Sequence, residues 1–152
     1  MKDALKTMLA RYARCALAAW AQFGEQLMVP GFRTNSSYAT LGATKYILVQ
    51  ATAANRANMA TNGTSSTILG VMQNNPAVDE AMSIACAGLS KVVAGDAVTV
   101  NAILTSNASG RAVAVVSGDL SIACGRALEA AGADGDVITA MLFHPVRWVG
   151  AA

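Results

Sequence analysis

Reactive side chains are scarce in this chain. One histidine, His144, three cysteines and nine acidic residues are spread over 152 positions. Zinc and related sites need clustered His and Cys ligands. Cys15, Cys86 and Cys124 form no C-x-x-C pair and have no histidine beside them, so no metal site is expected. An odd count also makes a poor disulfide framework. The three thiols read instead as small buried hydrophobes in a reducing compartment. No G-x-S-x-G, Walker A or G-x-G-x-x-G run occurs, and His144 sits before proline at an expected strand end. Asp79-Glu80 reads as a solvated loop edge, and Asp134-Gly135-Asp136 as a glycine turn too poor in oxygen ligands for calcium. No enzyme and no cofactor are expected.

Charge and aromatic rings are also sparse. Charged residues make up 13% of the chain, against roughly a quarter in ordinary globular proteins. A surface so poor in charge suits a subunit partly covered by neighbours. Aromatics make up 5%, which leaves a core of small aliphatics. Such a core gains little per residue at about 25 cal/mol per Å2 buried, so association would help it. No run of 18 apolar residues is present, and no transmembrane span is expected. Basic residues interleaved with aromatics, the pattern of nucleic-acid binding, are missing too. The net charge of +2 is unevenly placed. Residues 1–56 carry seven basic and two acidic side chains, 7 − 2 = +5, and the rest carries four and seven, 4 − 7 = −3. A basic N-terminal face could lie on an acidic partner.

What is present divides into three parts. Residues 1–23 are the one long stretch with helical period: Leu5, Met8, Leu9, Tyr12, Ala16, Ala19 and Phe23 fall on one side at 100° per residue, opposite Asp3, Thr7, Arg11 and Arg14. Arg11 and Arg14 interrupt the apolar run, which argues against a secretory signal. An amphipathic helix is expected, docked on its own domain, a sister subunit or a larger protein; attachment to a membrane surface is the lesser reading. Residues 24–45, with Pro30-Gly31 and Asn35-Ser36-Ser37, read as a linker or extended arm. Such an arm can add a strand to another protein's sheet or lie along its own. The candidate partner or oligomer contacts are Leu5, Met8, Tyr12, Trp20 and Phe23 on the helix, with Arg33 and Tyr38 on the arm.

Residues 46–152 are written as short β segments between turns, with signals every ten to fifteen residues. Strands are expected at Tyr46–Ala51, Ile68–Val71, Met82–Cys86, Val98–Val100, Arg111–Val116, Ser121–Leu128 and Val137–Phe143, the last ended by His144-Pro145. Asn35, Asn62 and Asn107 match glycosylation acceptors but read as turn residues. Ser-Ile-Ala-Cys occurs twice, at 83–86 and 121–124. The strand Val137–Phe143 is apolar on both faces apart from Thr139, so both faces should be covered. The fold class is mainly β, a small barrel or sandwich behind a helix and an arm.

One ordered series of motifs goes further. Ile68-Leu69-Gly70-Val71 is followed by Ala94-Gly95-Asp96-Ala97-Val98, Gly110-Arg111-Ala112-Val113 and Gly125-Arg126-Ala127-Leu128-Glu129-Ala130, then Gly135-Asp136-Val137-Ile138 and Leu142. This run resembles the capsid cement, or head decoration, proteins of tailed bacteriophages, over about half the chain. The resemblance implies a β-tulip or barrel domain, trimeric, at three-fold and quasi-three-fold positions on the outside of the expanded head. There it would clamp major capsid protein subunits against the pressure of packaged DNA. The helix departs from the shortest members, which begin with an extended arm. The implied partners are the major capsid protein and the chain's own copies, with no nucleic acid or membrane. The implied location is the virion surface, after synthesis in the host cytoplasm. The competing readings are a receptor- or carbohydrate-binding barrel, and a hydrolase using Asp134 or Asp136.

Overall fold

The structure is a computed structural model that describes residues 27–29, 31–34, 45–64, 67–116 and 120–149. The helix expected over residues 1–23 lies outside them. The described residues are mainly β, with ten strands: β1 Leu27–Val29, β2 Arg33–Thr34, β3 Leu48–Ala53, β4 Arg56–Met59, β5 Ile68–Met72, β6 Ile84–Val93, β7 Ile103–Ser106, β8 Ala112–Ala114, β9 Leu120–Ala127 and β10 Val137–Val149. They follow one hydrogen-bonded path, β2-β4-β3-β5-β6-β10-β9-β7-β8, with β1 on β6. Among the described residues the path is open. Its ends, β2 and β8, do not pair, so the expected barrel does not close through strand ladders.

The path bends at β6. The start of this strand pairs with β5 (Val71 opposite Ala85, Met72 opposite Ile84) and with β1. From Gly88 to Val93 its partner is β10. The two halves of the path enclose the main core, which includes Leu48, Val71, Ala85, Val92, Leu104, Ile122, Cys124, Ile138, Ala140 and Leu142. A second cluster lies on the other side of β3, β5 and β6, built from Ile47, Val49, Met59, Met72, Met82, Ile84 and Val93. Val29 and Phe32, from the N-terminal stretch, pack against it. Tyr46 packs against both clusters. It adopts φ 70°, unusual for so bulky a residue, and is held by its N–H to the Met72 carbonyl (2.8 Å) and by the Val93 N–H to its own carbonyl (2.9 Å).

Small aliphatics fill this core, as the composition requires. The largest fully buried side chains are Leu48, Met72, Ile84 and Leu104, and none is aromatic. The asparagines act as turn residues. The Asn62 side-chain oxygen accepts from the Thr64 N–H (3.1 Å), and that of Asn107 accepts from the Ser109 and Arg111 N–H groups (2.9 and 3.0 Å). Asn35 lies outside the described residues. The repeated tetrapeptide serves opposite ends: Ile84 enters the second cluster and Ile122 the main one.

Three expectations change. Val98–Val100 is no strand; Val98 makes only an isolated bridge to Ala131, and a turn with Asn101 at φ 68° follows. A hairpin not foreseen joins β3 to β4 through Ala54 and Asn55, with Asn55 at φ 56° providing the left-handed residue that glycine often supplies. His144-Pro145 does not end the last strand. β10 continues to Val149, and its register against β9 shifts between Leu142, opposite Gly125, and Val146, opposite Ala123. Four steps on β10 face two on β9, so the proline sits in a bulge where no ladder N–H is required of it.

Gly70 shows how tightly the first half is packed. It lies in β5 at φ 153°, where a Cβ would fall 2.1 Å from the Ala85 carbonyl oxygen. Neither backbone can retreat without disturbing the β5–β6 ladder. Gly70→Ala is expected to lower stability by about 3 kcal/mol, through overpacking and backbone strain together. Urea unfolding checks this, and a midpoint equal to that of the parent chain would refute the packing described.

Candidate functional site

The carboxylates are engaged either by amides of their own turns or by arginines distant in sequence. The Asp136 Oδ2 accepts from the Gly132 and Ala133 N–H groups (2.8 and 3.0 Å), closing its own glycine turn. Asp134 pairs with Arg111. Asp79 pairs with Arg56, and Glu80 Oε2 accepts from the Ala77 N–H at 2.8 Å. Among the described residues no three His, Cys, Asp or Glu side chains gather as a metal site would require. The buried Cys124 thiol donates to the Leu104 carbonyl (3.3 Å), and burial pushes its pKa up to about 12, which leaves it a poor nucleophile at neutral pH. Cys86, half-buried, donates to the Leu27 carbonyl at 3.2 Å.

Of the candidate contacts, Leu5, Met8, Tyr12, Trp20, Phe23 and Tyr38 lie outside the described residues. Arg33 is exposed on β2, which runs parallel to β4 with Arg33 opposite Arg56. Its guanidinium donates to the Asp79 carbonyl (2.9 Å), while Arg56 donates to the Thr34 carbonyl (3.0 Å). The buried Thr34 hydroxyl donates to the Ala77 carbonyl at 2.6 Å. These bonds stitch residues 33–34 to the 77–80 loop. Upstream, β1 pairs antiparallel with β6, Leu27 opposite Ala87 and Val29 opposite Ile84. Among the described residues of the arm, β1 and β2 therefore lie along the chain's own sheet.

The most distinctive surface is the outer face of β6, β10 and β9. Antiparallel register places Val137 opposite Val93, Thr139 opposite Lys91 and Met141 opposite Leu89. Met141 is also opposite Arg126 on β9. The alternate residues Ile138, Ala140 and Leu142 point into the main core. The inner face of β10 is thus covered as its sequence suggests, and the outer face is open: Val137 is 51% exposed, Leu89 44%, Met141 43% and Leu128, just past β9, 40%. An open group of large aliphatics across neighbouring strands marks a surface that meets something. Pattern alone pointed to β10; the part played by Leu89 and Leu128 depends on register, which no local motif announces.

Polar groups cross this face at one point. Lys91 Nζ donates to the Thr139 hydroxyl (2.7 Å) and pairs with Glu129 Oε2 (3.4 Å), which also accepts from the Thr139 N–H at 2.7 Å. Hydrogen bonds from Thr139, side chain first and then backbone, hold the Glu129 carboxyl below the usual carboxylate range, and Lys91 adds to them. Because the folded pKa is depressed, this contribution to stability is present above the unfolded value and is lost as pH falls through the folded one. NMR titration of the Glu129 carboxyl is expected to give a midpoint below the ordinary glutamate value of about 4.5. A midpoint at or above that value would remove the clasp.

No family model matches the chain. No curated protein matches it either. Among solved structures, the chain is similar to the N base of the head fiber gp8.5 of bacteriophage phi29, with a TM-score of 0.54 and 22% identity. The likeness covers 76% of this chain and 94% of that one, and at this identity it establishes a shared fold.

Proposed function

We propose that the protein is a structural component of a tailed-bacteriophage head, bound to the outer surface of the expanded capsid. The observation that carries this reading is the fold shared with the head fiber base, which spans 94% of that chain. The ordered glycine-strand series between Ile68 and Leu142 supports it from the side of sequence. Low charge and an open apolar sheet face suit a subunit whose neighbours complete its surface.

In its finer form the proposal is a cement protein of β-tulip type. It would bind as a homotrimer at three-fold and quasi-three-fold positions and hold major capsid protein subunits together, with no catalytic step. Leu5, Met8 and the exposed Arg33 are proposed contacts to the shell. The physical mechanism is linkage: a protein that binds the expanded shell and not its alternatives stabilises that state by mass action. Many weak contacts, repeated by symmetry, add through multivalency. A second reading follows from the solved structure being a fiber base. On that reading the domain anchors a projection and leaves shell stability unchanged.

Cosedimentation with undecorated expanded capsids, followed by a thermal challenge, tests both. Saturable binding with a higher disruption temperature is the expected result. Binding without added stability favours the anchor, and no binding to any capsid state would sink both readings.

A further inference from the structure

β1 and residues 32–34 both meet the chain's own sheet, but they are held very differently. Residues 32–34 are tied to three separate segments. The Arg33 N–H donates to the Asn55 carbonyl (2.9 Å), the Thr34 N–H to the Glu80 carbonyl (3.0 Å), and the Phe32 carbonyl accepts from the Met82 N–H (2.9 Å). Thr34 is fully buried, and the side-chain bonds of Thr34, Arg33 and Arg56 close the same joint.

β1 has much less to hold it. Leu27 lies opposite Ala87 and Met28 opposite Ala85, so one step on β1 faces two on β6. Cys86 is the extra residue of this bulge, and a bulge interrupts the ladder where it falls. Leu27 is 63% exposed and Met28 41%, while Val29 packs against the second core cluster. No β1 residue packs against the main core. Between β1 and residues 32–34 stands Gly31, at φ 85° and with nothing within 4 Å of where a Cβ would be. An exposed glycine of this kind can absorb a change of backbone angle without displacing a neighbour. Pro30, before it in sequence, brings no N–H to a ladder.

We propose that β1 is a strap that opens and closes on β6 as a unit of its own, turning at Gly31, while residues 32–34 stay in place. Closed, it covers the start of β6, where the Cys86 thiol donates to the Leu27 carbonyl at 3.2 Å. Open, it releases that thiol and the backbone of Ile84 to Ala87 that paired with it, and withdraws Val29 from the second cluster. Segments with few buried apolar contacts open at the low end of a protein's stability range. The chain before Leu27 would thereby change direction without disturbing the sheet that follows. The inference concerns the chain itself and stands whether or not the capsid reading does.

Thiol labelling of the full chain in a Cys15→Ser background tests it. Cys86 reports on the strap, and the buried Cys124 on the whole fold. Under native conditions an aromatic disulfide reagent is expected to modify Cys86 about a hundredfold faster than Cys124, or more. Low urea should leave the Cys86 rate unchanged, because opening three residues exposes little surface. Val29→Ala, which removes the strap's apolar anchor, should speed Cys86 labelling by about threefold or more. The Arg33 and Thr34 amides should keep their hydrogen-exchange rates in that variant. Equal rates at the two thiols would mean opening by global unfolding alone and would overturn the proposal. A Cys86 that labels as fast in the parent as in the unfolded chain, or at a rate unchanged by Val29→Ala, would show that β1 does not cover it. Faster exchange at Arg33 and Thr34 in Val29→Ala would overturn the joint at Gly31, since the two parts would then move together.

Discussion

The structure depends on β6 serving two sheets at once. Strand residues alternate between faces, so in an unbroken strand Ala85 and Val92 would point to opposite sides. Both lie in the main core, and both Ile84 and Val93 lie in the second cluster. The alternation must therefore slip once between them. Gly88, at φ 93°, is the residue in that interval that can hold the left-handed backbone such a slip needs. At that point β10 takes over as partner, with Leu142 opposite Gly88. One irregular residue thus lets a single strand close the core from both sides, turning Leu89 and Lys91 to the outside with Val137, Thr139 and Met141.

That slip explains much of what was and was not legible in the sequence. The strands at Ile68–Val71, Ser121–Leu128 and Val137–Phe143 could be seen in apolar runs bounded by turns, and Asn62 and Asn107 act as turn formers through their own side chains. The extent of β6 was hidden, because the alternation legible at Met82–Cys86 does not tell how far the strand continues. The β3–β4 hairpin was hidden because Asn55, with no glycine beside it, carries the left-handed turn. The passage of β10 through His144-Pro145 was hidden because proline signals a stop unless a bulge spares its missing N–H. Whether the path closes depends on how its two end strands meet, which no local pattern encodes.

The candidate surface shows the same division. A strand apolar on both faces announces two coverings without naming either. The inner covering is the main core. The outer one is left open among the described residues. Carboxylates tied into turns and ion pairs, a thiol buried against a carbonyl and a shortage of charge leave packing as the chemistry most evident in this protein.

The most direct measurement of this account is a cryo-EM reconstruction of expanded capsids saturated with the protein. The account predicts ordered density on the outside of the shell, in groups of three at three-fold and quasi-three-fold positions, into which the open ten-strand path fits with its N-terminal stretch toward the shell. A shell bare of ordered density at saturating protein, or density confined to the inside of the head, would contradict it.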